Sequence, residues 1–198
     1  GQVRKAPPPF GIATLAASLI KIGYNNVQLI DAVVEDYNNI EPVEDSKVFT
    51  TYGLSDKNMV KMVKGINPDF IGISALFSSQ TECAFSVAKK LKEELPNIPI
   101  AMGGNHATEC RQEVMKNEEN IDFILAGEAD LTFPEFIDKY FNGGDCYNVP
   151  GLLYRKDGII HENPLPSAEV NLDQLPFPAW HLYDMDAYYD IGMPHNPF

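Results

Sequence analysis

A short apolar run with the sequence DFIGISA occupies residues 69–75, near the middle of the chain. Consecutive apolar residues are typical of a strand that is buried on both faces, as in a parallel sheet. Apolar residues at helical spacing follow from Ala84 to Leu95, and Pro96 ends that pattern. This order, a buried strand and then an amphipathic helix, is the unit from which parallel α/β sheets are built.

The same unit recurs twice further along the chain. A strand is predicted at residues 98–102 with a helix over residues 107–118, and another strand at 121–125 with a helix that opens at Asp130. Strands that alternate with helices predict an α/β fold with a doubly wound parallel sheet, Rossmann-like or flavodoxin-like in arrangement. Ligands of such sheets bind where the strands end, so the residues after each strand are the informative ones.

The beginning of the chain fits this sheet only in part. Residues 11–23 predict a helix, residues 27–30 predict a short strand, and residues 38–55 show no period and predict a long loop. A central strand should precede the first helix, but residues 1–10 contain a run of prolines that disfavours one. We expect this strand to lie upstream of residue 1, since a sheet without its middle strand leaves both neighbours unpaired.

The character of the sequence changes at residues 142–145, NGGD, which end a helix and begin a loop. This change divides the chain into an α/β domain at residues 1–144 and an appendage at residues 145–198. The appendage is predicted to begin with a β-hairpin around the turn KDG at residues 156–158. An irregular linker rich in proline and aromatic residues follows it.

The composition excludes several classes of function. The chain has 28 acidic and 15 basic residues and a formal net charge of −13, which disfavours binding to nucleic acid or to anionic membranes. No apolar run is long enough for a transmembrane helix. The three cysteines are too far apart for a disulfide framework, a zinc site or an iron–sulfur site, and are typical of reduced thiols in a cytoplasmic protein. The phosphate-binding motifs of dinucleotide-binding Rossmann domains and of P-loop NTPases are absent.

Several residues at the predicted strand ends have both an ordinary and a functional interpretation. Gly103 and Gly104 fit a tight strand-to-helix turn as well as a close contact with a ligand. His106 fits the start of a helix or a ligand contact, and Glu128 fits a favourable charge at a helix N-terminus or a site residue. The remaining histidines are too scattered to predict a metal site: His161, His181 and His195.

Four short segments, taken in order, resemble a known family. They are PPPFG at residues 7–11, ISAL at 73–76, GGNHAT at 103–108 and GEAD at 127–130. With them the chain resembles the N-terminal cobalamin-binding domain of cobalamin-dependent radical S-adenosylmethionine (SAM) enzymes, a class that includes the anaerobic magnesium-protoporphyrin monomethyl ester cyclases and many methylases. The sequence LPFPAW at residues 175–180 is similar to the linker that precedes the radical SAM barrel in that family.

The resemblance implies that the chain holds cobalamin for methyl transfer or radical cyclisation. In the full-length protein a [4Fe–4S] cluster and SAM would be bound by a radical SAM barrel, the partner of this domain. The Cys-x-x-x-Cys-x-x-Cys motif for that cluster is absent here, so the fragment alone is not expected to be catalytic. The residues implied for cobalamin binding are Pro8, Pro9, Phe10, Gly11, Ser74, Ala75, Leu76, Gly103, Gly104, Asn105, His106, Gly127 and Glu128.

One motif of many cobalamin domains, Asp-x-His-x-x-Gly, is not preserved. If Gly11 is its glycine, Ala6 stands in place of the aspartate and Pro8 in place of the histidine that ligates cobalt from below. The resemblance then implies cobalamin with its own base displaced and no protein imidazole on cobalt. In this interpretation Ser74 hydrogen-bonds the displaced dimethylbenzimidazole tail, and Leu76 lines an apolar slot for it.

Two other interpretations of the chain stay open. A flavodoxin-like module would bind flavin, or act in regulation, through the serine-containing loop at residues 74–79. A purely structural interaction domain would use an aromatic tail as its interface: Trp180, Tyr183, Tyr188, Tyr189 and Phe198. The ISAL and GGNHAT segments and the LPFPAW linker favour the cobalamin interpretation.

Overall fold

The chain folds as a sheet with helices on both faces. The computed structural model describes residues 7–42, 50–166 and 171–191. Within these ranges the α-helices are α1 Phe10–Lys21, α2 Ala32–Glu35, α3 Asp56–Ile66, α4 Thr81–Glu94, α5 Asn105–Glu109, α6 Arg111–Asn117, α7 Thr132–Asn142 and α8 Met185–Asp190. The strands in the same ranges are β1 Ile40–Pro42, β2 Thr50–Tyr52, β3 Ile71–Ser74, β4 Ile100–Gly103, β5 Phe123–Leu125, β6 Leu152–Lys156 and β7 Ile159–Glu162.

The main sheet of the described chain has the strand order β3-β4-β5-β6-β7. The pairs β3–β4 and β4–β5 are parallel, and Ser74 lies opposite Gly103 in the first of them. Strands β6 and β7 extend the sheet as an antiparallel hairpin, with Ile124 of β5 opposite Leu153 of β6. The predicted fold class, an α/β sheet with parallel strands and a C-terminal hairpin, is confirmed.

The turn of the hairpin follows from two residues. Asp157 has a φ of +53° and Gly158 a φ of +77°. A type I′ turn requires positive φ at both central residues, and its twist matches that of the strands it joins. Lys156 and Ile159 are consequently paired at the end of the ladder.

Alternation along the strands divides the core into two layers. One layer contains Met102, Ile124 and Leu153 and is covered by α3, α4 and α6. The other contains Phe123 and Leu125 and is covered by α7. Neighbouring residues of a strand point to opposite faces, which is why residues 123–125 contribute to both layers. No helix in the described ranges is long and apolar enough to span a bilayer.

The C-terminal part of the described chain lies along α1. We call residues 172–191 the docked segment. The backbone N–H of Ala179 donates to the carbonyl of Ala13, inside α1, at 3.0 Å between nitrogen and oxygen. This approach is possible because α1 presents small side chains there, Ala13, Ala16 and Ala17, all of them buried. Ala179 is itself buried against this face.

One predicted strand is found but is not buried as expected, and another predicted strand is absent. Residues 69–75 are not buried on both faces, because β3 is the edge strand of the described sheet and its Gly72 and Ser74 are exposed. Residues 27–30 form no strand, because a strand needs a neighbour for its backbone hydrogen bonds and the described chain pairs none with them. Ile30 packs against the core instead. The strand expected upstream of residue 1 stays a prediction.

Two further predictions are corrected by the structure. The loop expected at residues 38–55 contains the antiparallel pair β1–β2, while residues 43–49 lie outside the described ranges. The helix expected at residues 107–118 is divided into α5 and α6. The Arg111 guanidinium donates to the carbonyl of Thr108 at 2.8 Å, so the break leaves that carbonyl hydrogen-bonded.

Candidate functional site

The ends of three parallel strands form one edge of the sheet, which we call the carboxyl edge. Strands β3, β4 and β5 run in the same direction, so the loops that follow Ser74, Gly103 and Leu125 begin side by side. Three of the four segments singled out in the sequence start in these loops. The sequence predicts that these segments lie at strand ends, and they lie there in the structure.

Helix α1 brings the fourth segment to the same edge. The Tyr24 hydroxyl, just beyond α1, donates to the carbonyl of Ile137 at 3.4 Å, and Asn142 donates to that hydroxyl at 3.2 Å. The C-terminal ends of α1 and α7 therefore lie together. Because α7 follows β5, it starts at the carboxyl edge, and its neighbour α1 starts there too. Residues 7–10, which we call the proline corner, thus join the three strand ends.

The short helix α5 ties the loops after the three strands to one another. The backbone N–H of His106 donates to the carbonyl of Ala75 at 3.1 Å, and His106 Nδ1 lies 2.9 Å from Ser78 Oγ. On the other side of α5, the Thr108 hydroxyl accepts from the Gly127 N–H at 3.0 Å. One helical turn therefore fixes the relative positions of all three loops.

The two glycines before α5 differ in their surroundings. Gly104 has a φ of +97°, and a Cβ there would lie 2.7 Å from the carbonyl oxygen of Ala75. The protein's own backbone excludes a side chain, so the tight turn by itself accounts for Gly104. Gly103 has more room, since its Cβ would lie 3.6 Å from the carbonyl oxygen of Leu125. Asn105, the next residue along, is exposed.

A strip of the sheet beside this turn is uncovered. Side chains alternate along a strand, so Gly72 and Ser74 share one face, and a Cβ at Gly72 would lie 4.0 Å from the ring of Phe133 on α7. Both residues are exposed, and we call them the open strip. Leu76 follows it and is 45% exposed, whereas Ala75 is buried in the core. The open strip therefore offers a flat surface, one hydroxyl group and an adjacent apolar side chain.

The proline corner offers an apolar surface and no imidazole. Pro8 and Pro9 are half-buried, while Phe10 and Gly11 are exposed. The side chain of Phe10 is 62% exposed although it is large and apolar, which marks a surface available for contact. Ala6 lies outside the described residues.

The histidines that the structure describes belong to no candidate metal centre. Within the described ranges, no group of three or more His, Cys, Asp or Glu side chains could hold a metal ion. His161 stacks on Tyr154, with 5.0 Å between ring centroids, and His181 is exposed on the docked segment. His195 lies outside the described residues.

Two contacts at the carboxyl edge have no signal in the sequence. Gly127 and Glu128 are exposed at the end of β5, but Pro166 lies over Gly127, 3.2 Å from where a Cβ would stand. The Tyr183 hydroxyl donates to the carbonyl of Pro9 at 2.9 Å. Pro166 and Tyr183 come from far along the chain, and no local pattern marks either contact. The amino-acid composition around residues 164–166 and 183 indicates only a linker.

Two buried tyrosines of the docked segment act as hydrogen-bond donors. Burial raises the pKa of Tyr183 and of Tyr188, and the neighbouring Asp31 carboxylate raises both further. Both phenols therefore stay protonated around neutral pH. Tyr188 donates to Asp31 Oδ2 at 2.8 Å, and the other oxygen of Asp31 accepts from Val33 N–H at the start of α2.

The residues of the carboxyl edge suit binding of a broad, largely apolar group. Exposed apolar side chains flank the edge at Phe10, Leu76 and Phe77. Ser74 comes between Phe10 and Leu76 in the sequence, and its hydroxyl lies on the open strip. The turn before α5 brings the backbone close to this hydroxyl. Such an arrangement binds and orients a ligand through shape, apolar contact and a few hydrogen bonds.

Sequence comparisons identify proteins similar to this chain. The family model of the B12 binding domain matches residues 1–137. The chain is 31% identical to cytidylyl-2-hydroxyethylphosphonate methyltransferase of Streptomyces wedmorensis, over 96% of this chain and 39% of that protein. It is 27% identical to the anaerobic magnesium-protoporphyrin IX monomethyl ester cyclase of Synechocystis sp., over 93% of this chain and 34% of that protein. The chain thus spans well under half the length of either relative.

A solved structure shares the fold. OxsB, a cobalamin-dependent S-adenosylmethionine radical enzyme with aqua-cobalamin and S-adenosylmethionine bound, superposes with a TM-score of 0.74. The match covers 94% of this chain and 23% of the OxsB chain, at 18% sequence identity. At that identity the likeness concerns the fold.

Proposed function

Since the chain belongs to the B12 binding domain family, we propose that it binds cobalamin at the carboxyl edge of its sheet, as the cobalamin-holding module of a radical SAM enzyme. The observation that carries the proposal is convergence. Four segments that are widely separated in sequence meet at one edge, where the proline corner, the open strip and the turn before α5 leave apolar and polar groups exposed.

The groups at this edge fit the two parts of cobalamin, a broad corrin ring and a long nucleotide tail. Phe10 and Leu76 present apolar surface suited to the ring and the tail base. The Ser74 hydroxyl is exposed and suited to accept or donate one hydrogen bond to the tail. Gly72 keeps the strip flat, because any side chain there would stand beside Ser74. Gly103 and Asn105 would border the tail, with His106 held by Ser78 beside them.

We further propose that the proline corner leaves cobalt without a protein ligand. Pro8 and Pro9 have no side-chain donor atom, and His106 lies on α5 rather than in the proline corner, with its Nδ1 2.9 Å from Ser78 Oγ. Bound cobalamin would supply a cobalt centre able to carry a methyl group. In this proposal the residues of this chain bind the cofactor, fix its orientation and cover one of its faces.

The remaining parts of the proposed enzyme come from its relatives. A radical SAM barrel would bind the [4Fe–4S] cluster and SAM, and would select the substrate. The relatives include a methyltransferase and a cyclase, so the proposal covers methyl transfer and radical cyclisation. The fold likeness to OxsB supports the same pairing of domains.

A binding experiment tests the proposal directly. The purified chain is mixed with hydroxocobalamin, free ligand is removed by gel filtration, and the visible spectrum is recorded before and after reduction to Co(II). We expect corrin to be retained with the chain, with a Co(II) spectrum that shows neither the dimethylbenzimidazole base nor an imidazole on cobalt. A spectrum with a nitrogen ligand would overturn the account of the proline corner. No retention would refute cobalamin binding, and the same protocol with flavin mononucleotide then tests the flavodoxin-like alternative.

A pair of serine variants locates the site. Ser74→Ala is expected to weaken cobalamin binding by about tenfold, the loss of one hydrogen bond to the tail. Ser86→Ala is the matched control, because it removes a hydroxyl that donates to Asp56 at 2.6 Å within the α3–α4 pair, which covers the face of the sheet opposite to Ser74. Equal dissociation constants for the two variants would place the tail elsewhere.

A further inference from the structure

The docked segment reaches the proline corner from outside the sheet. After Ala179 meets Ala13 on α1, the chain turns through a short 3₁₀ helix, and Tyr183 becomes buried, with 8% of its surface exposed. The ring of Trp180 lies 5.9 Å from that of Phe10. Two aromatic residues of the docked segment therefore contact the corner that we propose to lie under cobalamin.

The hydrogen bond from Tyr183 holds a position that has few other partners. Pro8 and Pro9 lack backbone N–H groups, so these two residues can be fixed only through their carbonyls and their packing. The carbonyl of Pro9 accepts from the Ala13 N–H inside α1 at 3.4 Å, which is long, and from the Tyr183 hydroxyl at 2.9 Å. The hydrogen bond from the Tyr183 phenol is therefore the shorter of the two that hold Pro9.

We propose that Tyr183 is a positioning residue for bound cobalamin, because it sets the place of Pro9, and through it of Phe10, at the carboxyl edge. This inference rests on the proposed function. When Tyr183 is held, the corner presents a fixed apolar surface to the cofactor. When its hydroxyl is removed, the corner relaxes and the contact with the corrin becomes less complementary. Because coupling is reciprocal, bound cobalamin also stabilises the docked segment on α1.

The neighbouring tyrosine provides the matched control. Tyr188 is buried in the same cluster, its ring centroid lies 5.8 Å from that of Tyr183, and its hydroxyl also makes one hydrogen bond. That bond goes to Asp31, which precedes α2, and not to the proline corner. The variants Tyr183→Phe and Tyr188→Phe thus remove the same atom from the same cluster, and only the first frees the proline corner.

The test is a titration of each purified chain with hydroxocobalamin, with electron paramagnetic resonance of the bound Co(II) form as a second readout. We expect Tyr183→Phe to raise the dissociation constant about fivefold to tenfold and to change the Co(II) spectrum. Tyr188→Phe should stay within about twofold of the unchanged chain and keep its spectrum. Equal effects of the two variants would reduce Tyr183 to a stabilising residue and overturn the inference.

A measurement on the unchanged chain guards against a variant that fails to fold. Hydrogen exchange of residues 172–191 is compared with and without cobalamin, and we expect slower exchange when cobalamin is bound. Retention of cobalamin without any such protection overturns the inference and leaves the proposed function intact. If the unchanged chain retains no cobalamin, the proposed function itself fails, and this inference fails with it.

Discussion

The carboxyl edge has a closed half and an open half, and glycine serves opposite purposes in the two. In the closed half, beside the hairpin, Gly151 has a φ of +76° and a Cβ there would lie 2.3 Å from the carbonyl oxygen of Ala126. In the open half, Gly72 of β3 is exposed and a Cβ would find its nearest atom 4.0 Å away. In one half glycine allows the protein to pack on itself, and in the other it keeps a surface free.

This difference separates folding from binding within a single edge. Substitutions in the closed half should change the free energy of unfolding, because protein atoms already occupy the space. Substitutions in the open half should leave stability nearly unchanged and alter what the edge can hold. The following four predictions test that division.

The largest effect is expected at Gly151. Gly151→Ala should lower the free energy of unfolding by about 3 kcal/mol, because a strained φ is combined with a clash against backbone. Urea denaturation followed by circular dichroism measures the change. Gly158→Ala is the control, since Gly158 has a φ of +77° and nothing within 4 Å, and should lose only about 1 kcal/mol from backbone conformation. If the two variants lost the same free energy of unfolding, the clash at Gly151 would be relieved at no cost in stability.

Arg155 of β6 makes the next strongest contribution by packing protein on protein, at the opposite end of the sheet, where β5 begins. Its guanidinium donates to the carbonyls of Ile121 and Glu118, at 2.7 and 2.8 Å, and to that of Met115 at the end of α6. Arg155→Met should lower the free energy of unfolding by about 2 kcal/mol, because these partly buried carbonyls lose a charged donor. Thermal unfolding of the two proteins measures the difference.

The control for Arg155 removes one positive charge from an exposed pair. Lys64→Met breaks a surface contact with Glu94, whose loss is expected to change stability very little because solvent screens the pair. If the two variants were destabilised alike, the carbonyl contacts of Arg155 would add nothing beyond a surface ion pair.

The open half should show the reverse pattern. Gly72→Val should change the free energy of unfolding by less than about 1 kcal/mol, since a strand tolerates valine and a Cβ there would meet only the ring of Phe133, at an ordinary contact distance of 4.0 Å. The same change should weaken cobalamin binding about tenfold, because the new methyl groups stand on the open strip beside Ser74. Titration with hydroxocobalamin and urea denaturation are measured on the same samples.

The adjacent residue on β3 completes this test. Ile73 packs against the core, on the face opposite to Gly72. Ile73→Val should therefore lose about 1 kcal/mol of stability and keep its affinity for cobalamin. Loss of affinity in both variants would contradict the separation of folding from binding.

The smallest effect concerns pH and the outer strand of the closed half. Hydrogen bonds from Arg111 and Gln112 lower the pKa of Glu162 on β7. A lowered carboxyl pKa stabilises the fold at pH values above the ordinary glutamate pKa, and this contribution is lost as the pH falls through the lowered value. We expect the Tm of Glu162→Gln to lie slightly below that of the unchanged chain at pH 6–7.

The gap in Tm should begin to narrow as the pH falls below the ordinary glutamate pKa of about 4.3, and should close once the pH is below the lowered folded-state pKa, where Glu162 is protonated in both folded and unfolded chains. Differential scanning at several pH values provides the measurement. Glu113→Gln, on the exposed side of α6, is the control and should show a gap that does not depend on pH in this way. A gap for Glu162→Gln that does not narrow at all as the pH falls below about 4 would show that the carboxylate charge is not its cause.

Features of the fold that depend on neighbours in sequence could be predicted, and those that depend on distant partners could not. The helix α4 and the turn at Asp157 follow from local spacing and backbone preference, so the sequence is sufficient for them. The exposure of Ser74 and the lack of a ladder at residues 27–30 depend on which strands lie alongside. Apolar residues give no information on that, because a central and an edge strand can have the same composition.

The candidate site divides in the same way. Its strand-end segments could be predicted, since parallel strands must end at one edge. The sequence leaves the role of Gly104 open, because only the three-dimensional fold shows that the carbonyl of Ala75 occupies the space that a side chain there would need. Tyr183 and Pro166 could not be connected with the site, because their contacts are made by the path of the chain around α1 and β5 rather than by any local pattern.

The length of α5 has a consequence for the motions of this edge. Five residues are too few for a helix to persist alone in water, so α5 exists only while the loops on both sides hold it. Melting of this one turn releases Ala75 and Gly127 together, and the loops after β3, β4 and β5 share a single opening equilibrium. A ligand that binds any one loop therefore slows the opening of all three, and the edge opens and closes as one cooperative unit.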